Sequence, residues 1–121
     1  MLEINTKQII ESLIDTFLKA GKISLELRKK GLIKKIKSDN TPVTNGDLEV
    51  NEIISNKIIE LTPNLPVISE ETSDNKNMND LKNFWLIDPI DGTNDYVNNL
   101  EEFTINAGLI IDKKPAAGLI F

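Results

Sequence analysis

The chain has 121 residues, 40% of them apolar and 27% charged, a composition typical of a folded globular domain rather than a disordered chain. It contains no cysteine and no histidine, which excludes disulfides, thiol nucleophiles, serine–histidine–aspartate triads and cysteine or histidine zinc sites. The net charge of −5 and the 5% of aromatic residues argue against nucleic-acid binding, and a metal site would need oxygen ligands, which favour magnesium, manganese or calcium.

The first predicted element is a long amphipathic helix over residues 5–30. Asn5 can cap its start, and Gly31 stands where a helix commonly ends on a left-handed residue. Its apolar face is expected to comprise Ile10, Leu13, Ile14, Phe17, Leu18 and Gly21. Residues 34–46 are polar and are interpreted as irregular, with a turn at residues 39–42.

A second helix is predicted from about Gly46 to Leu61, with an apolar stripe formed by Val50, Ile54, Ile58 and Leu61. Thr44, just before this helix, and Asp47, three residues later, have the spacing of a capping box. A purely structural helix cap is one interpretation of this pair. In the other, Asp47 hydrogen-bonds Thr93 and draws a proton from a water molecule, a role that no histidine is present to fill.

Two short strands are predicted in the second half of the chain. Residues 66–69 form the first, which ends at Glu70 and Glu71, and an exposed loop over residues 72–83 separates it from the second. The second strand covers residues 84–87 and runs into Asp88. A turn at residues 89–93 and a short helical piece follow it.

A hairpin is predicted at the end of the chain. Strict alternation indicates a strand over residues 103–111, and residues 115–121 form an apolar, buried-looking partner strand. We therefore expect an α+β fold in which two long helices pack on one side of a mostly antiparallel sheet. The hairpin is expected to leave an open apolar edge, which predicts aggregation or dimerisation.

Acidic residues follow both predicted short strands. If these strands are parallel neighbours, Glu70 and Glu71 gather with Asp88 and Asp91 at one edge of the sheet, where a divalent cation with oxygen ligands would relieve their repulsion. Backbone N–H groups at Gly92 and Thr93 could hold a phosphate beside them. Together these features indicate metal-assisted hydrolysis of a phosphate ester. Solvated acids and a simply capped turn remain the structural alternatives.

A basic run lies between the two helices. It comprises Arg28, Lys29, Lys30, Lys34, Lys35 and Lys37. It is either a solvated helix end or a region that attracts an anionic substrate.

Four motifs together resemble the inositol monophosphatase superfamily. The run from Trp85 to Thr93 resembles its W-x-[IV]-D-P-[IL]-D-G-T motif, and residues 69–71 resemble its preceding acidic motif. Residues 41–47 resemble its threonine–aspartate segment. Residues 102–106 are similar to the CysQ branch, whose members are 3'(2'),5'-bisphosphate nucleotidases.

The resemblance implies magnesium-dependent hydrolysis of a phosphate monoester by a metal-activated water. It implies these metal ligands: Glu70, Asp88, Asp91 and the carbonyl of Ile90. It implies Asp91, Gly92 and Thr93 as substrate-binding residues, and Asp47, Thr93 and Glu70 as catalytic residues. Lys37 falls where the family often has a lysine near the metals. In the CysQ branch the substrate would be adenosine 3',5'-bisphosphate, and inositol phosphates stay open as the alternative.

The length sets this chain apart from the family it resembles. Family members are roughly twice as long and carry a C-terminal tryptophan–aspartate motif, so residues 1–121 are expected to be a truncated, N-terminal, metal-binding portion of such a domain. An active phosphatase, an inactive remnant that binds metal weakly, and an enzyme split between two polypeptides all stay open. The expected partners are a phosphorylated small molecule and either a second copy or a separately encoded C-terminal half.

No apolar run is long enough to span a membrane, and no signal peptide is evident at the start of the sequence. A cytoplasmic location is therefore expected, with peripheral attachment to the inner membrane left open.

Overall fold

The computed structural model describes residues 5–69, 81–100 and 102–121. Glu70, Glu71 and most of the predicted loop over residues 72–83 lie outside these described residues. Three helices and six strands follow one another in the described part: α1 (Thr6–Lys30), β1 (Lys34–Ile36), β2 (Pro42–Thr44), α2 (Asn45–Leu61), β3 (Val67–Ser69), β4 (Phe84–Asp91), α3 (Thr93–Val97), β5 (Thr104–Ile111) and β6 (Lys114–Ile120). No helix among them is long and apolar enough to cross a membrane.

Helix α1 has the predicted ends. The Asn5 side chain accepts a hydrogen bond of 3.1 Å from the Gln8 N–H, and Gly31 ends the helix with a φ of 102°. The predicted apolar face was partly wrong, because Ile14 and Leu18 are 44% and 50% exposed. The buried face comprises Leu13, Phe17, Ala20, Gly21 and Ser24. Helix α1 packs on α2 along this narrower stripe. Ile14 and Leu18 each follow a buried residue and therefore lie at the side of the stripe, in solvent.

The segment between the helices is a hairpin, so the prediction that residues 34–46 are irregular was wrong. Strands β1 and β2 pair antiparallel, with Lys34 opposite Thr44. At the predicted turn the Asp39 carboxylate accepts hydrogen bonds from the hydroxyl and the N–H of Thr41, which hold the pKa of Asp39 below its usual value. Backbone pairing and this turn sustain the hairpin, although β1 is exposed and its side chains carry no apolar alternation.

Helix α2 connects the hairpin to the sheet. Its predicted stripe is confirmed, since Val50, Ile54 and Ile58 are fully buried. At its end the Thr62 hydroxyl donates to the Ile58 carbonyl at 2.8 Å and accepts from the indole N–H of Trp85 at 3.1 Å. These bonds fix α2 to the middle of the sheet.

The main sheet has the strand order β3-β4-β5-β6. Strands β3 and β4 are parallel neighbours, which is the condition on which the expected gathering of acidic residues depended, and the other neighbouring strands are antiparallel. One face of the sheet packs against the helices and forms the core with Trp85, Ile87, Ile105, Ala107 and Leu109. The expected α+β fold, with two long helices on a mostly antiparallel sheet, is confirmed.

The opposite face of the sheet is open. Leu86 is 37% exposed and Ile120 is 76% exposed, and they line a concavity of about 650 Å³ on this face. The prediction that the last strand is buried was therefore wrong. Among the described residues, β6 is the outermost strand and pairs with β5 alone, and the concavity on the open face is lined only by residues of the sheet. The aggregation expected from this open edge stays a prediction.

Candidate functional site

The Asp47 carboxylate is the centre of the predicted site. It is fully buried at the start of α2. Its Oδ2 accepts hydrogen bonds from the Thr44 N–H at 2.9 Å and from the Thr44 hydroxyl at 2.6 Å, while the Asp47 N–H donates to that hydroxyl at 3.2 Å. The predicted capping box is thus present. The cap uses Oδ2 of the Asp47 carboxylate, so Oδ1 is available for a bond to a different part of the chain.

Asp47 Oδ1 accepts a hydrogen bond of 3.0 Å from the hydroxyl of Thr93, the first residue of α3. The same hydroxyl lies 3.2 Å from the Ile90 carbonyl, which also accepts from it. Two residues 46 positions apart in the chain therefore meet through a single hydroxyl. The structural and functional interpretations of the Thr44–Asp47 spacing are compatible, since each uses a different oxygen of the carboxylate.

A bulge in β4 determines where the two aspartates of the predicted metal site point. Asp88 pairs with Asn106 and Asp91 pairs with Thr104, so three steps along β4 match two steps along β5. Residues two apart on a strand share a face, and the Asn106 amide donates to the Thr104 hydroxyl at 3.0 Å. Asp88 and Asp91 consequently lie on the same face of the sheet, where a regular strand would place them on opposite faces.

This strand was predicted to run into Asp88 and to be followed by a turn over residues 89–93. That prediction was wrong, because β4 continues to Asp91. The predicted turn began at Pro89, but within a sheet proline also marks bulges, and Pro89 lies in the bulge of β4. The predicted short helix does follow, as α3.

Gly92 turns the chain from β4 into α3. Its φ is 87°, a left-handed conformation that residues with a Cβ rarely adopt. A Cβ at this position would also lie 2.9 Å from the Glu102 carbonyl oxygen. Gly92 therefore permits the tight turn that brings Thr93 to Asp47.

Tyr96 is a part of the site that the sequence analysis missed. It is fully buried, and its hydroxyl donates to the Ser24 carbonyl at 2.6 Å, which joins α3 to α1. Gly46 lies against its ring, so that a Cβ at residue 46 would collide with the phenol. Burial raises the pKa of Tyr96 to about 12, with the negative charge of Asp47 acting in the same direction and Arg28 opposing it. A lone tyrosine in a short polar stretch carries no motif that could have identified this contact.

A second missed contact anchors the strand before Glu70. The Asn51 side chain, one helical turn after Asp47, is 5% exposed, and its amide oxygen accepts from the hydroxyls of Ser69 and Ser55. Ser69 is the last residue of β3. Helix α2 therefore holds both Asp47 and the end of β3, beside Ile87 of β4.

The donor set at the sheet edge suits a hard cation. Asp88 and Asp91 share one face. The Ile90 carbonyl lies between them in sequence, and among the described side chains only the Thr93 hydroxyl donates a hydrogen bond to it. Carboxylate and carbonyl oxygens are the ligands that magnesium and calcium prefer. Within residues 5–69, 81–100 and 102–121, no group of three acidic side chains converges closely enough to hold a metal. The third predicted acid, Glu70, lies outside the described residues.

The basic run is divided between two places. Arg28, Lys29 and Lys34 line a concavity next to the end of α3. Lys37 instead stands at the turn between β1 and β2, where its backbone N–H and carbonyl bond Thr41 and Asn40.

Comparison with known proteins gives a consistent result. The model of the "Inositol monophosphatase family" matches residues 5–121. The chain is 34% identical, over 99% of its length, to "3'(2'),5'-bisphosphate nucleotidase CysQ" of Haemophilus influenzae, and it spans 45% of that protein. It is thus less than half as long as the curated relatives that it matches over nearly its whole length.

Solved structures agree in fold. A crystal structure of an IMPase/NADP phosphatase complexed with NADP and Ca²⁺ superposes with a TM-score of 0.81 at 25% identity, covering 98% of this chain and 46% of that one. A crystal structure of SaIMPase-II bound to 2'AMP has a TM-score of 0.74 at 28% identity, covering 96% of this chain and 40% of that one.

Proposed function

The chain belongs to the inositol monophosphatase family, and from that premise we propose that it is the water-activating part of a magnesium-dependent phosphomonoesterase that acts on nucleoside 3'(2'),5'-bisphosphates. The observation that carries the proposal is the hydrogen bond from the Thr93 hydroxyl to the buried Asp47 carboxylate. A hydroxyl that donates to a carboxylate retains a lone pair with which it accepts a proton.

The two residues form a proton relay. A water molecule donates a hydrogen bond to Thr93 Oγ1, and as its oxygen attacks phosphorus, its proton moves to that hydroxyl. The hydroxyl's own proton passes to Asp47 Oδ1. The ester P–O bond breaks, and the released alkoxide takes one proton from a solvent water, whose hydroxide is neutralised by the proton held on Asp47. The products are an alcohol and inorganic phosphate, and Asp47 is again ionised. Asp47 is suited to this role because Thr44 holds its other oxygen and fixes the carboxylate.

Asp88, Asp91, the Ile90 carbonyl and Glu70 are the proposed magnesium ligands. Magnesium, when bound, supplies positive charge that neutralises the phosphate and favours deprotonation of water. Asp91, Gly92 and Thr93 are proposed to receive the substrate phosphate beside it. The bulge of β4 supports this assignment, since it places both aspartates on one face just before the Gly92 turn.

Nucleotide substrates are favoured by the names of the similar proteins. The curated relative is a bisphosphate nucleotidase, and the two similar structures contain NADP and 2'AMP. Adenosine 3',5'-bisphosphate is therefore the first substrate to test, and inositol 1-phosphate is the comparison. Because the chain spans less than half of these relatives, activity of the 121-residue chain by itself is part of the proposal.

The test measures phosphate release from both compounds by the purified chain, with and without magnesium. Turnover of the bisphosphate is expected with magnesium only. Asp47→Asn should lower it by about 10²–10⁴, because an amide N–H facing Thr93 donates a proton where the relay needs an acceptor. Thr93→Val should do the same, and Thr93→Ser, which keeps the hydroxyl, should retain most of the activity.

Two outcomes would contradict the proposal. Absence of turnover by a chain that folds and binds magnesium would show an inactive remnant. Full activity of Thr93→Val would remove the relay. Faster hydrolysis of inositol 1-phosphate would leave the mechanism in place and change the substrate.

A further inference from the structure

A basic concavity lies between the end of α1, the segment that follows it and the end of α3. Its volume is about 620 Å³, and it is lined by Arg28, Lys29, Lys34, Leu32, Val97 and Asn99 among others. We call it the basic pocket. Among the described residues, none of those that line it is acidic. A chain with a net charge of −5 thus concentrates positive charge at one concave place.

The three cations of the pocket are not neutralised by neighbours in the described part of the chain. The ion pairs found there join Lys7 to Glu11 and Lys57 to Glu60, far from the pocket in sequence. Like charges that converge without a counter-charge repel one another, and an anion between them relieves the repulsion. The arrangement therefore favours a negatively charged ligand.

Arg28 is held in position. Its Nη1 donates to the Leu100 carbonyl at 2.7 Å, and its guanidinium carbon lies 5.6 Å from the centre of the Tyr96 ring and 5.2 Å from that of Phe103. The carbonyl occupies one of the five N–H groups of the guanidinium. A planar donor group fixed by rings and a backbone oxygen can bind phosphate with little loss of side-chain entropy.

The size and walls of the pocket narrow the class of ligand. A volume of about 620 Å³ lies within the range of sites for small organic molecules and exceeds what a single inorganic anion fills. Leu32 and Val97 add apolar surface to its lining. We propose that the basic pocket binds a phosphorylated small molecule of nucleotide size. The pocket lies at the opposite end of α3 from the Asp47–Thr93 pair, because Thr93 begins this five-residue helix and Val97 ends it.

The test uses the full chain without divalent cations, so that the acidic sheet edge repels an anionic probe. Adenosine monophosphate is titrated into ¹⁵N-labelled protein, with uncharged adenosine as the reference probe. Saturable shifts are expected for the amides of residues 28–34 and 97–99, and adenosine should cause none of comparable size. Absence of these shifts would not contradict the proposed phosphatase reaction, because that reaction is tested by phosphate release in the presence of magnesium and depends on residues 88–93.

Variants give the decisive comparison. Lys29→Gln with Lys34→Gln should weaken binding roughly tenfold or more, as expected for two charges within several ångströms of the ligand. Asn99→Asp, which adds a negative charge with almost no change of shape, should also weaken it several-fold. The matched control is Lys19→Gln with Lys22→Gln, which removes the same charge from exposed positions of the same helix and should change the Kd less than about twofold.

Several results would overturn the inference. These are no saturation at millimolar concentrations, an equal loss of affinity in the control variant, or shifts centred on residues 88–93. Binding of phosphatidylserine vesicles without saturable binding of adenosine monophosphate would also overturn it, because it would mark a surface for membranes instead of a pocket.

Discussion

Replacing Asp47 by alanine tests whether one buried carboxylate anchors both the start of α2 and the start of α3. The change leaves the N–H and the hydroxyl of Thr44 without their acceptor, and Thr44 is only 1% exposed. Each buried donor without a partner costs about 1–3 kcal/mol. Thr93 loses less, because its hydroxyl still reaches the Ile90 carbonyl. We therefore expect Asp47→Ala to lower the free energy of unfolding by about 2–6 kcal/mol.

Asparagine at the same position should cost less. Its amide oxygen can accept both bonds from Thr44, and its amide N–H can donate to the Thr93 hydroxyl, which continues to donate to the Ile90 carbonyl. What is lost is the charge, worth about 0.3–1 kcal/mol at a helix start and about 1 kcal/mol in the strength of the hydrogen bonds. The expected order of stability is wild type, Asp47→Asn, then Asp47→Ala.

Urea unfolding followed by tryptophan fluorescence measures this order, because Trp85 is the only tryptophan and is fully buried. With a slope of about 1–3 kcal/mol per molar urea, the alanine variant should unfold at a midpoint roughly 1 M or more below wild type. Glu49→Gln, at an exposed position near the same end of α2, is the matched control and should shift the unfolding free energy by less than about 0.5 kcal/mol. An alanine variant as stable as this control, or an asparagine variant as unstable as alanine, would refute the reasoning.

Three further changes have expected outcomes. Thr62→Val should lower the free energy of unfolding by about 1–3 kcal/mol, because the indole N–H of Trp85 loses its acceptor. Thr62→Ser keeps the hydroxyl and should lower it much less. Equal losses for the two variants in urea unfolding would contradict this prediction. Gly92→Ala should lower the free energy of unfolding by about 1–3 kcal/mol, because of the left-handed φ at this position and the nearby carbonyl oxygen. In Gly108→Ala the new Cβ would meet nothing within 4 Å, so this control should leave the thermal unfolding midpoint unchanged, whereas Gly92→Ala should lower it. Tyr96, the only tyrosine, should titrate near pH 12 when its ionisation is followed by ultraviolet absorbance. Between pH 10 and 12 the folded state keeps the phenol proton while the unfolded state releases it, so the free energy of unfolding should fall by up to about 1.4 kcal/mol per pH unit. A midpoint near pH 10 in the folded protein would show that the phenol is exposed.

Features encoded by neighbouring residues were predictable from the sequence. The Asn5 cap and the capping box at Thr44 and Asp47 both follow from short patterns, and the structure contains them. The contact between Asp47 and Thr93 was one of the two interpretations of the Thr44–Asp47 spacing, offered because no histidine is present to take a proton, and the structure contains it.

Features that depend on distant partners were not predictable. Strand β1 has no apolar alternation, so only its pairing with β2 makes it a strand. Ile14 has the helical spacing of the core face, yet it faces solvent because α2 covers a narrower stripe of α1. Tyr96 carries no local pattern, and its role comes from contacts with Ser24 and Gly46, which lie far from it in sequence.

The bulge in β4 makes the number of residues between Asp88 and Asp91 as important as their identity. Exchange of Ile90 for another apolar residue preserves the count, and it alters only packing in the buried layer. Insertion of one residue into this stretch, with the bulge kept, would instead rotate Asp91 towards the helices, where an ionised carboxylate has no solvation. Deletion of one residue would remove the bulge and leave the two aspartates two positions apart, still on one face. Evolution can therefore vary the chemistry of this short segment more freely than it can lengthen the segment, and related sequences should carry no insertion between the two aspartates.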